Sequence, residues 1–81
     1  MFLRTERTLW RRGERNLSDD TRESLENNPT QYDNLKGRIA VIAHERSKKQ
    51  ISDSKAKRET DAAFLTYSRA AVREEDEEGM E

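Results

Sequence analysis

The chain has no cysteine, one proline, three glycines and five aromatic residues among 81. Without cysteine it has neither a disulfide nor a thiolate metal site. That absence fits an intracellular chain, and the expected location is cytoplasmic. So little proline and glycine leaves few points that interrupt a helix. No apolar run approaches the ~18–20 residues of a membrane span, and Met1-Phe2-Leu3 is too short for a signal peptide. Asn16-Leu17-Ser18 matches a glycosylation sequon, which without a secretion signal reads as chance. There is no Gly-rich phosphate loop and no nucleophile elbow. On a helix, the neighbours of His44 are Ala40, Val41, Ser47 and Lys48, none a natural metal ligand. Asp19 and Asp20 could hold a cation, but directly after Ser18 they read as the opening of a helix. No catalytic, cofactor-binding or metal-binding residue is assigned, and the expectation is a protein that is not an enzyme.

What is abundant is charge and helix-forming residues. Ala, Glu, Lys, Leu and Arg make up 40 of the 81 residues, close to the ~50% typical of long helices and coiled coils. The formal net charge of −1 hides four blocks. Residues 1–16 are basic through Arg4, Arg7, Arg11, Arg12 and Arg15. Residues 17–35 are acidic through Asp19, Asp20, Glu23, Glu26 and Asp33. Residues 36–58 are strongly basic, and residues 59–81 strongly acidic. Such blocks can fold against each other or face a partner of opposite sign. Leu, Ile, Val and Phe number only 13, so the core must be thin. A lone domain of ~60–80 residues is marginal even with ordinary apolar content. A second copy, a protein partner or a nucleic acid is therefore expected to contribute stability.

The pattern predicts a short first helix over 2–12, with Phe2, Leu3, Leu9 and Trp10 on one side and Gly13 as its stop. A second helix over about 19–27 starts at Ser18 or Asp20 and ends before Pro29. Thr30 is the expected cap of a third helix, in which Tyr32, Leu35, Ile39 and Ile42 form a seam widened by Val41. Gly37 within it is read as a point of close helix approach. Residues 51–54 suggest a turn, the alternative being one continuous helix. The last helix, about 54–76, carries Thr60, Ala63, Phe64, Tyr67 and Ala71 on its main stripe. The acids that follow oppose the helix dipole, so that end is expected to fray.

Two sets of side chains are candidates for binding. Trp10, Arg11 and Arg12 are of the types enriched at protein hot spots, though Trp10 serves equally as a core anchor. Lys36, Arg38, Arg46, Lys48, Lys49, Lys55, Lys57 and Arg58 form a basic segment able to neutralise phosphates without any motif. The plainer reading is that these charges solvate the helix or pair with Glu59–Glu78. Membrane-surface binding is not expected, because the apolar face beside this segment lacks Trp and Phe.

The stretch Leu9-Trp10-Arg11-Arg12-Gly13-Glu14-Arg15-Asn16-Leu17-Ser18, followed by Arg22, Leu25, Tyr32, Leu35 and Lys36, resembles a segment of one group of DDE-type insertion-sequence transposases. There a short apolar element leads into a Glu-Asn-Leu-Thr turn, a helix and a Tyr-x-x-Lys-type continuation. This chain has Glu-Arg-Asn-Leu-Ser instead. The resemblance covers residues 7–36, excludes the catalytic acids and stops before His44. It implies a mobile-element origin rather than an activity; phage and other mobile-element proteins are also often this compact and charge-rich.

The sequence thus predicts an all-α fold in one small domain, 1–76, with an acidic tail over 77–81. Its expected architecture is a long, coiled-coil-like hairpin of helices 31–50 and 54–76, with a short N-terminal helical arm. Basic and acidic blocks are expected to lie side by side along that hairpin. The expected function is a non-enzymatic interaction protein that binds a protein partner or itself as an oligomer. The alternative is a nucleic-acid-binding accessory or regulatory protein using residues 36–58.

Overall fold

Local capping chemistry sets the helix boundaries in a computed structural model that describes residues 4–79, with side chains as far as Glu77. Four helices and no strand occur among the described residues: α1 Arg4–Arg15, α2 Asp19–Glu26, α3 Pro29–Ser47 and α4 Asp53–Gly79. The all-α expectation holds. The predicted roles of Phe2, Leu3, Met80 and Glu81 lie outside the described residues.

Ser18 opens α2, its Oγ accepting from the Thr21 backbone N–H at 3.2 Å. Asn28, not Thr30, opens α3, its Oδ1 accepting from the Gln31 N–H at 3.1 Å. Pro29 sits inside the first turn, where its fixed φ suits the helix and its missing N–H is no loss. Ser52 opens α4 by accepting from the Lys55 N–H at 3.1 Å. The turn of residues 48–52 is therefore real, and the continuous-helix alternative is not adopted. α3 ends with Lys49 at φ +60°, while the Gln50 N–H donates to Glu45 O and the Lys49 N–H to Arg46 O. This is the Schellman ending, usually built on glycine.

α3 and α4 run antiparallel, and α1 and α2 follow one another along that pair. α1 begins beside Ala43 and Ser47 of α3, and its far end meets Phe64 of α4. α2 then continues toward Ala71 and Glu74. Both N-terminal helices are packed elements of the fold rather than an arm. The molecule measures 47 × 20 × 17 Å.

The core runs through all four helices. Leu35, Ile39 and Ile42 of α3 are fully buried, as the seam predicts. Each such side chain contributes roughly 1.5–3 kcal/mol of burial free energy. α4 answers with small residues, Ala56, Thr60, Ala63, Ser68 and Ala71, and one large one, Phe64. Trp10 meets the Phe64 ring edge-on at 4.9 Å and the Tyr32 ring at 5.3 Å between centroids. Its indole N–H donates to Glu14 at 3.2 Å. Burial, with Glu14, Glu26 and Asp33 nearby, pushes the Tyr32 hydroxyl above its ordinary range.

Gly13 and Gly37 exchange their expected roles. Gly13 does not stop α1, which continues to Arg15. It lies buried against Phe64, and a Cβ there would come within 2.1 Å of the ring. Gly37, expected to mark close approach, is exposed with nothing within 4 Å of where a Cβ would be. α3 makes its contacts through a different face.

Candidate nucleic-acid interface

The fold gathers much of the charge by sign toward opposite ends, while along the middle basic and acidic blocks meet side by side, Arg12 with Asp61 and Arg38 with Glu59. α1 starts next to the end of α3, so Arg4, with Glu6, lies at the end of the molecule that holds the turn between α3 and α4. α2 lies along the last third of α4, so Asp19, Asp20, Glu23 and Glu26 share an end with Glu74, Glu75, Asp76 and Glu77. Lys55 and Asp76 are separated on one helix by about 32 Å at 1.5 Å per residue. That exceeds the ~8 Å screening length at physiological salt, so the two ends act as separate fields.

At the basic end, Arg46 bonds Asp53 across the turn. That bond holds the Asp53 carboxyl below its ordinary range and raises the Arg46 guanidinium. Lys57 adds to the depression of Asp53. Lys48, Lys49, Lys55 and Arg58 are exposed and make no ion pair among the described residues. The positive end of the α4 dipole points the same way and adds to their field. Lys49 is held at φ +60°, a left-handed conformation that costs a non-glycine residue ~1–2 kcal/mol.

Of the eight basic candidates, six therefore gather around the turn: Arg46, Lys48, Lys49, Lys55, Lys57 and Arg58. Lys36 and Arg38 lie further back along α3. Lys36 sits over the Tyr32 ring at 5.5 Å, and Arg38 reaches Glu59 at 3.8 Å. Arg4 was missed as a neighbour of this cluster. The first basic block was visible in the sequence, but nothing local shows that α1 returns along α3.

The other candidate set is dispersed. Trp10 is buried at 7% exposure and spent on Phe64 and Tyr32, so it offers no surface to a partner. Arg11 is exposed, and Arg12 pairs with Asp61 of α4 at 3.1 Å. The hot-spot trio is thus divided between core, solvent and an internal ion pair.

The acidic end is internally tied. Glu74 accepts from the Asn28 side-chain amide and, at 2.8 Å, from the Gln31 amide. Both bonds hold its carboxyl below the ordinary range. Glu74 also faces the start of α3, where the helix dipole favours negative charge. Among the described residues, no group of three or more His, Asp or Glu could hold a metal ion, and no helix is long and apolar enough to cross a membrane. Comparison with family models, curated proteins and solved structures finds no match for the chain.

Proposed function

We propose that this chain is a non-enzymatic interaction protein whose basic end binds the phosphate backbone of a nucleic acid. The α3–α4 pair serves as a hairpin scaffold presenting the turn. The observation that carries this reading is the cluster of exposed cations without ion-pair partners around residues 48–58. Within it, Lys49 keeps a lysine where glycine would relieve backbone strain. Charge retained at a conformational cost is a reason to look for use of that charge. The plainer reading, that the basic segment is neutralised by the acidic block, fits Arg38, which pairs with Glu59, whereas Arg46 pairs inside the segment with Asp53. Recognition would be of the backbone rather than of base sequence.

The test is anisotropy of a labelled short DNA duplex between 50 and 200 mM salt. About five phosphate contacts give a slope near −4.5 in log affinity against log salt, a fall of roughly several hundredfold. Reversing Lys48, Lys49, Lys55 and Lys57 to Glu abolishes the binding while the helical circular dichroism is kept. Absence of wild-type binding at 50 mM salt rejects the proposal. The protein-partner reading then stands alone.

A further inference from the structure

Where the start of α1 meets the end of α3, the two helices leave a pocket of about 260 Å³. Arg4, Thr5 and Glu6 line it from α1, and Ala43, His44 and Ser47 from α3. Ala43 is buried, while His44 and Ser47, three residues apart on one face, are exposed. Four of the six lining residues carry a donor that an anion can use: a guanidinium, an imidazole and two hydroxyls. No hydrogen bond or ion pair among the described residues engages the side chains of Arg4, Thr5, His44 or Ser47. Lys48 stands one turn beyond His44, between this pocket and the exposed cations of the turn.

We infer that this pocket takes a phosphate monoester, the group found at the 5′ end of a nucleic-acid strand. The inference rests on the reading of the basic end as a nucleic-acid interface, and it adds a preference for strand ends. A monoester presents three acceptor oxygens and carries about −1.5 to −2 charges at neutral pH. A backbone diester carries a single charge and has a sugar on either side. Donors on both walls of the pocket suit the group with more free oxygens and more charge, since charge-assisted hydrogen bonds are the strong ones. The size fits as well. At ~30 Å³ per water the pocket has room for roughly eight or nine waters. A terminal phosphate enters such a space with its one ester carbon, whereas the two sugars of a diester hold it at the mouth. Glu6 lines the same pocket and repels any anion there. It therefore sets the sign of one test, because removing its charge tightens anion binding and a purely structural role for it does not.

His44 is the one histidine of the sequence, so its imidazole signals in a proton–carbon NMR spectrum report on this pocket alone. The experiment titrates the full chain at constant pH with adenosine 5′-monophosphate, and in parallel with adenosine and with the diester adenylyl-adenosine. The monophosphate is expected to shift the His44 signals to saturation, and the other two are not. Arg4→Ala should weaken that binding roughly tenfold, the worth of a charge-assisted hydrogen bond. Glu6→Gln should tighten it about two- to fivefold. Arg11→Ala, about 10 Å further along α1, should leave it unchanged. A second arm compares one DNA duplex with and without 5′-phosphates by anisotropy, and the phosphorylated form should bind several-fold tighter. No saturating shift with the monophosphate, or an equal one with the diester, overturns the inference. So does a shift indifferent to both Arg4→Ala and Glu6→Gln. Equal affinity for the two duplexes overturns the preference for strand ends and leaves the pocket to free nucleotides. A saturating shift without binding of either duplex rejects the function proposed above while the monoester site stands.

Discussion

The two ends of this molecule carry charge blocks of similar density and use them differently. At the acidic end, Glu74 accepts two hydrogen bonds from the start of α3, and Asp19 pairs with Arg22 at 2.7 Å. At the basic end, one ion pair fastens the turn and Lys48, Lys49, Lys55 and Arg58 face solvent. The difference teaches that composition alone does not assign a charge its task. Helix starts want negative charge, and the starts of α2 and α3 lie at the acidic end, where acids are spent on them. The turn between α3 and α4 offers only Asp53 and Glu45 to its cations, and the remainder are left for something outside.

The largest effect should come from breaking the joint between the ends. Gly13→Ala brings a methyl into the Phe64 ring and forces α1 away from α4. We expect a loss of about 1–3 kcal/mol, read as a melting temperature lower by roughly 4–8 °C per kcal/mol. Gly37→Ala is the control, and with nothing near it should stabilise by about 1 kcal/mol. If both substitutions act with the same sign, the packing of α1 on Phe64 is wrong.

Thr60→Val removes a buried hydroxyl that has no partner. Deleting an unsatisfied polar group while keeping its shape should stabilise by about 1 kcal/mol, visible in urea melts. A large loss would mean that Thr60 makes a bond that matters.

Acid should loosen both fastenings. Glu74 and Asp53 are held below their ordinary range in the folded chain. Each therefore contributes stability that is fully present above its unfolded pKa and is lost as pH falls through its folded one. Glu74→Gln should lower the melting temperature at neutral pH and flatten its decline below about pH 5. Asp53→Asn should do the same more weakly, since its pair spans only a short turn. A steeper acid decline in either variant contradicts the assignment.

The smallest stability effect separates binding from folding. Lys49→Gly should raise stability by up to about 1 kcal/mol, because glycine occupies φ +60° without strain. On the proposed function it should also weaken duplex affinity several-fold. Equal affinity would remove Lys49 from the interface.

Helix positions were legible because they depend on neighbours in sequence. Ser18 before two acids, Pro29 as the limit of α2, and the spacing of Leu35, Ile39 and Ile42 each act within a few residues, although the cap of α3 proved to be Asn28 rather than Thr30. What was not legible depended on how helices meet. Gly13 and Gly37 look alike in sequence, and only the position of Phe64 distinguishes them. Trp10 between arginines looked equally like a hot spot or an anchor, and Tyr32 and Phe64 decide for the core. The basic candidates were expected over 36–58; six of the eight lie around the turn, and Lys36 and Arg38 lie further back along α3. The contribution of Arg4 required knowing that α1 folds back beside Ser47.

The order of the helices bears on how the chain is made. α4 comes last, yet α1, α2 and α3 each pack on it. At ~5–20 residues per second, a ribosome needs ~1–5 s to synthesise the 27 residues of α4. Throughout that interval Trp10, Leu25 and Ile39 lack the surface that covers them. The nascent chain is thus exposed to chaperones and proteases until α4 emerges, and a message truncated before Phe64 would yield a product with no assembled core.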